Sequence, residues 1–277
     1  YGEGVPGTME YQDSLNTDHS LMLTGLTDCM SFNFYVECSD EAGNTCVDDN
    51  GGNYYDFMTW ELVDFINENM DSDPGWTYDN QWAWGIPQGN DGDPNSGYTG
   101  DHVVGYNLAG DYTNNLPETY CTTPSFDCSG TTEVVLSYYY WLGVESSTWD
   151  HASVDVSGDD GSSWTRIWDH SGSSSSPNDW TYIEFDISQV AAGNSNVKIR
   201  WVMGTTDSSV TYCGWNIDDV LVAYTQPCET PCINDGDTDL NGQVTSGDAQ
   251  MAFMIALGMY TPNEEEECAA DCNGNGE

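Results

Sequence analysis

Between residues 131 and 224 apolar and polar side chains alternate with a period of two, the pattern of a strand with one face buried. Val154 and Val156 alternate with polar neighbours. Ile183, Phe185 and Ile187 do the same, as do Val197, Ile199, Trp201 and Met203. Asp159, Asp160 and Gly161 make a turn ahead of the run from Trp164 to Trp168, which marks a hairpin. Short strands at this spacing, separated by Gly, Asn, Asp and Ser, imply an antiparallel sandwich. The expected fold class is mainly β.

The 277 residues suffice for one large domain or two to three small ones, and 38% hydrophobic with 13% aromatic residues supplies packed modules. Charge narrows the partners. Three basic residues stand against 47 acidic ones, for a net charge of −44. Such a surface repels nucleic acid and anionic membranes and suits divalent cations. Lys198 and Arg200 fall on the outward face of the last alternating strand. No apolar run approaches the ~20 residues of a spanning helix, so membrane insertion is not expected. Ten cysteines without a CxxC zinc pattern read as disulfides of an oxidising, extracellular compartment. They group as Cys29, Cys38 and Cys46; Cys121, Cys128 and Cys213; and Cys228, Cys232, Cys268 and Cys272. The first two groups are odd, which leads us to expect one bridge from the N-terminal region to the middle of the chain.

Near the C-terminus, oxygen-bearing side chains fall at positions 1, 3, 5, 9 and 12 of a calcium loop: Asp237, Asp239, Asn241, Thr245 and Asp248. Gly242 stands where the loop must turn sharply, and Gln243 offers its backbone carbonyl at position 7. A helix should follow, with Ala249, Ala252, Phe253, Ala256 and Leu257 on one face and Gly258 closing it. A second copy begins at Asp271, continues through Asn273 and Asn275, and stops at Glu277 before any position 12. The expected cofactor is Ca2+, and the chain reads as a segment of something longer.

Three resemblances divide the chain. Residues 60–226 resemble the jelly-roll modules of the MAM-like and cleaved-adhesin kind. The carrying residues are Pro74-Gly75-Trp76, the run from Gln81 to Gly85, Gly105 to Leu108, Gly110-Asp111-Tyr112, and Trp215 to Val220. Residues 1–59 are similar to the later strands of a fibronectin type III domain, with Leu26 as its usual leucine and Phe32, Phe34 and Val36 alternating as a strand. Phe32 stands where that family has a corner tyrosine. After the linker from Gln226 to Ile233, residues 227–277 resemble a truncated type I dockerin. That resemblance implies two calcium ions and a cohesin-like scaffold or surface attachment as partner. Incomplete modules at both ends imply completion by further residues or by a neighbouring copy of the chain. Met58, Leu62, Phe65, Ile66 and Met70 fit a helical face, but the jelly-roll resemblance makes residues 61–66 its first strand, and a strand is favoured.

Asp218 and Asp219 sit side by side on an expected core strand, where two carboxylates are costly without compensation. They either flank a structural calcium, as modules resembling this one do, with Asp101 and Asp111 as companions, or divide between solvent and a loop cap. Trp76, Trp82 and Trp84, with Tyr78, either stack on sugar or fill the core; Tyr138, Tyr139, Tyr140 and Trp141 pose the same alternative. His19, His102, His151 and His170 are scattered, and no HExxH, GxSxG, phosphate loop or Rossmann fingerprint is present. An enzyme is not expected. A secreted, calcium-binding structural or adhesive protein is, with a polysaccharide-binding accessory region of a hydrolase as the alternative. Chelation should melt the C-terminal module first, because Asp237, Asp239 and Asp248 then repel one another. A melting curve that chelator leaves unchanged contradicts the calcium loop.

Overall fold

The computed structural model describes residues 26–39, 43–48, 50–228, 236–239, 241, 243–262, 266 and 269–270. The chain divides into two compact units, one of Glu61–Gln226 and one of Tyr1–Trp60 with Pro227–Glu277.

In the latter unit, β1 (Ser31–Phe34), β2 (Val36–Ser39), β3 (Thr45–Asp48) and β4 (Tyr55–Met58) form two antiparallel pairs, β1 with β4 and β2 with β3. The single strand expected through Phe32, Phe34 and Val36 is broken at Tyr35. β4 begins at Tyr55, directly after Tyr54 enters left-handed backbone at φ 59°, so β1 has no partner beyond Phe34. Phe32 stacks on Phe57 at 5.5 Å and Phe34 packs on Tyr55 at 5.3 Å, cross-strand pairs of the kind that hold a two-stranded ribbon. Thr59 extends the pairing by donating from its N–H to Met30 O (3.0 Å) and from its hydroxyl to Thr27 O (2.7 Å).

The larger unit contains β5 (Glu61–Glu68), β6 (Thr77–Tyr78), β7 (Trp82–Gly85), β8 (Val103–Tyr106), β9 (Thr119–Thr122), β10 (Val135–Gly143), β11 (Ala152–Ser157), β12 (Thr165–Asp169), β13 (Thr181–Asp186), β14 (Lys198–Met203) and β15 (Gly214–Gln226). A short helix, α1 (Ser188–Ala191), lies between β13 and β14. One sheet runs β13-β10-β15-β8-β7, with β5 also on β15; the other runs β12-β11-β14-β9-β6. All pairings are antiparallel. The unit is an antiparallel β-sandwich. β15 is long enough, at 13 residues, to pair β8 through Asn216 and Ile217 and then β5 from Val220 onward. The ambiguous stretch after Met58 is thus a strand, β5.

Aromatic side chains join the two sheets. Trp201 of β14 is fully buried, stacks on Trp76 at 5.2 Å and meets Tyr138 of β10 edge-on at 5.4 Å. Trp215 of β15 meets Trp168 of β12 at 5.5 Å and donates from its indole to Val202 O at 3.0 Å. Such pairs add specific geometry to the large apolar area each ring removes from water.

The outer face of the second sheet holds all three basic side chains. Asp155, 2% exposed, accepts from Arg166 Nε at 2.8 Å and Arg200 Nη2 at 2.8 Å. The Arg200 guanidinium lies between Tyr120 and Trp164, 4.2 Å from each ring centroid. Lys198 pairs with Asp160 at 2.7 Å. In the β11–β12 turn, Asp160 and Gly161 both take positive φ, and the Asp159 carboxylate accepts from Ser163 N–H at 2.8 Å.

Among the described residues, the bridge present joins Cys29 to Cys228, within one unit, instead of reaching the middle of the chain. Cys121, Cys128 and Cys213 are free thiols buried in the sandwich, and Cys46 is free and exposed. Burial pushes Cys128 and Cys213 up to about 12, which makes them inert core residues.

The helix expected after the calcium loop is α2 (Ser246–Ala256). Thr245 caps it by accepting from Gly247 N–H at 3.0 Å, while Asp248 reaches back to Thr245 N–H at 2.7 Å, a capping box. Its expected apolar face is not buried: Phe253 is 63% and Leu257 56% exposed. Among the described residues no helix is long and apolar enough to cross a membrane.

Replacing Trp201 by Ala removes the ring that both sheets share and should cost about 3–5 kcal/mol of stability. Urea unfolding checks this; a loss below about 1 kcal/mol would show that the stacked and edge-on contacts do not hold the sandwich.

Candidate functional site

At the C-terminal loop, carboxylate oxygens of Asp237, Asp239 and Asp248 lie within 4.8 Å of one another. Asp237 is 7% and Asp248 1% exposed. Asn241 N–H donates to Asp237 Oδ1 (3.1 Å) and to Asp239 Oδ1 (3.2 Å), and Gln243 N–H donates to Asn241 Oδ1 (3.1 Å). The backbone N–H groups of Asp239 and Thr245 hold Asp248 down at about 2, so it is fully ionised at neutral pH. Three close carboxylates form an oxygen set suited to a hard cation. The structure therefore brings Asp237, Asp239 and Asp248 of the first expected loop together. Gly242 and the second loop (Asp271, Asn273, Asn275 and Glu277) lie outside the described residues.

Asp218 and Asp219 divide as unequal neighbours. The register of β15 shifts between its pairings with Tyr139 and Ser137, and Asp219 takes left-handed backbone at φ 48°. A bulge of this kind re-aims side chains, and Asp is one of the few residues that tolerates the conformation. Asp218 is fully buried and accepts from Thr99 N–H at 3.0 Å and Asp219 N–H at 2.8 Å. Burial pushes it up to about 6, against the pull of those N–H groups. Asp219 accepts from the Thr99 hydroxyl at 2.7 Å. The pair caps the loop before β8.

The expected companions lie elsewhere. Asp101 pairs with His102 at 2.6 Å, with its side chain 65% exposed. Asp111 accepts from the Thr211 hydroxyl at 2.7 Å. Trp76 and Trp82 are 6% and 3% exposed and belong to the core, so neither offers a face to sugar. Trp84 is half-buried, stacks on His102 at 4.5 Å and donates to Met70 O at 2.8 Å.

Two groupings escape sequence reading. The first is acidic: oxygens of Glu145, Asp150 and Asp207 lie within 4.8 Å of one another. Asp150 is fully buried and accepts from Tyr112 Oη at 2.5 Å and Asp207 N–H at 2.8 Å. Burial, then the charges of Asp150 and Asp207, push Glu145 up.

The second is a tyrosine ladder on the outer face of the first sheet. Tyr139 points outward between core residues Tyr138 and Tyr140, stacks on Tyr98 at 3.5 Å and packs on Tyr182 of β13 at 5.3 Å. Trp141 and Trp180 continue it, 6.1 Å apart. Beside it lies a groove of about 520 Å³ lined by Asn67, Asn69, Thr99, Tyr182 and Asp219 among others. The only sequence signal was the run from Tyr138 to Trp141.

Replacing Asp248 by Asn should weaken calcium binding at the 237–248 loop at least tenfold, whereas Asp101→Asn, outside that loop, should leave it unchanged. Titration calorimetry on the full chain reads both, and a D248N chain that binds as wild type contradicts the loop.

No protein-family model matches the chain. Bacillopeptidase F of Bacillus subtilis (strain 168) is 28% identical over 144 residues, 52% of this chain but 9% of that protein, so the chain spans only a small part of its relative. Among solved structures, the K3 cleaved adhesin domain of Lys-gingipain from Porphyromonas gingivalis is similar at 17% identity and a TM-score of 0.37, over 58% of this chain and 98% of that one. A xylan-binding domain from CBM 22 is similar at 12% identity and a TM-score of 0.38, over 60% of this chain and 97% of that one.

Proposed function

We propose that this chain is a non-catalytic, extracellular, calcium-binding adhesive module whose sandwich holds polysaccharide on the outer face of its first sheet. The observation that carries this is the ladder of Tyr98, Tyr139 and Tyr182. Tyr98 and Tyr182 are 46% and 51% exposed, in a sandwich whose core already buries many of its other large aromatics. The surfaces that Tyr98 and Tyr182 leave exposed, supported by Tyr139 in contact with both, can pack on the apolar faces of sugar rings. The amide, hydroxyl and carboxylate groups of Asn67, Asn69, Thr99 and Asp219 beside them match sugar hydroxyls, which both donate and accept. The acidic surface favours a neutral glycan over an anionic one. Calcium in the 237–248 loop serves folding of the C-terminal module, and the sandwich binds independently of it.

A glycan array in calcium, followed by titration of the best ligand, tests the proposal. Tyr139→Ala and Tyr182→Ala should each weaken binding at least tenfold, about 1.4 kcal/mol, without altering the near-ultraviolet spectrum of the core. Absence of any glycan ligand for the folded chain, or binding unaffected by both substitutions, overturns the proposal.

A further inference from the structure

Tyr98 and Tyr139 stack more closely than aromatic pairs ordinarily do. Their ring centroids lie 3.5 Å apart with the planes 10° from parallel. Such pairs usually sit about 4.5–7 Å apart, offset or edge-on, because the negative faces of two π-systems repel. The two hydroxyls lie side by side: a hydrogen bond with the Tyr98 hydroxyl, and then burial, push Tyr139 up to about 12, so it stays a neutral phenol. Rings stacked with their hydroxyls together point the same way. The carbons ortho to each hydroxyl therefore lie over their counterparts.

Both rings are carried by backbone that is held in place. Tyr139 belongs to β10, which pairs with β13 on one side and β15 on the other. Tyr98 belongs to the loop before β8, where Thr99 donates from its N–H to Asp218 at 3.0 Å and from its hydroxyl to Asp219 at 2.7 Å. Gly97 on its other side is closely packed: a Cβ there would come within 2.6 Å of Asp218 Oδ2 and 2.8 Å of His102 O. Other tyrosine pairs lack this geometry. Among the described residues, Tyr139 with Tyr182, Tyr138 with Tyr140 and Tyr35 with Tyr54 are tilted by 56°, 59° and 54°, so their faces do not overlap.

We infer that Tyr98 and Tyr139 are a site of oxidative cross-linking, joined into dityrosine by hydrogen peroxide acting through a haem peroxidase. Each phenol gives up one electron and one proton, and the peroxide takes up both pairs to become two waters. Tyr98 is 46% exposed and is oxidised first; Tyr139, in contact with its face, follows. The two phenoxyl radicals then form a carbon–carbon bond between facing ortho carbons, along the direction in which the stacked rings already overlap. Each coupled carbon passes its hydrogen to its own phenol oxygen, so both rings regain aromaticity and the net loss is two hydrogen atoms. The rings then open from the stack about the new bond. That bond ties the loop before β8 to β10, and it stabilises the fold as a disulfide does, by closing a loop of the unfolded chain. The reaction needs the stack alone and does not rest on the ladder holding sugar.

Hydrogen peroxide and a haem peroxidase, added to the full chain at a dilution that disfavours coupling between chains, should produce blue dityrosine fluorescence in a monomer lighter by two hydrogens. Digestion after acidic residues, chosen because basic ones number only three, should then release a cross-linked pair of peptides holding Tyr98 and Tyr139. Phenylalanine keeps a ring in the stack but forms no phenoxyl radical. Tyr98→Phe and Tyr139→Phe should therefore each lose that peptide pair, with the near-ultraviolet spectrum of the core retained. Tyr54→Phe, which removes a phenol 48% exposed outside the sandwich, should keep it. Mapping of the wild-type chain decides without any variant: absence of dityrosine, dityrosine only between chains, or cross-links that omit the Tyr98–Tyr139 pair overturn the inference.

Discussion

Scarcity of positive charge governs this structure. Three basic side chains face 47 carboxylates, and two of the three close on one buried carboxylate, Asp155. A buried carboxylate left unpaired is far more costly than an exposed one, so arginines are best placed where water is absent. Every other buried carboxylate must find a different answer. Asp218 and Asp248 are answered by backbone N–H groups. Asp150 is answered by the Tyr112 hydroxyl and a backbone N–H. At 237–248 the carboxylate oxygens of Asp237, Asp239 and Asp248 lie clustered within 4.8 Å of one another.

The two sheets consequently present different outer faces. The one containing β11 and β14 is sealed by ion pairs, with Arg200 filling the space between Tyr120 and Trp164. The one containing β10 and β13 is open, with tyrosines stacked on one another and a polar groove alongside. A face built from rings, amides, hydroxyls and carboxylates that no basic side chain pairs can meet a neutral ligand without first breaking salt bridges.

Much of the sandwich was legible in sequence because period-two alternation survives wherever one side of a strand is buried; β11, β13 and β14 fall where Val154, Ile183 and Trp201 put them. The clustering of Asp237, Asp239 and Asp248 was legible because these residues lie within twelve positions of each other. The ladder was not. The run from Tyr138 to Trp141 is aromatic on both faces, and which rings point outward is settled only by pairing Tyr139 with Tyr182 and with Asp218. Asp93 and Asn216 stand 123 residues apart, and no local spacing announces a contact of that range. The adjacent carboxylates at 218 and 219 were visible as a problem, but the bulge that separates them depends on cross-strand register. Cysteine parity misled, since buried thiols in the sandwich serve as small apolar residues and need no partner.

The Cys29–Cys228 bridge spans 199 residues of sequence, and the sandwich lies wholly inside that span. A tensile force carried along the polypeptide therefore crosses from one sulfur to the other and never travels through the strands between them. A surface mounted on such a closed loop stays off the load path: traction that would peel apart a domain strung in series leaves this one folded, with its tyrosines still in register.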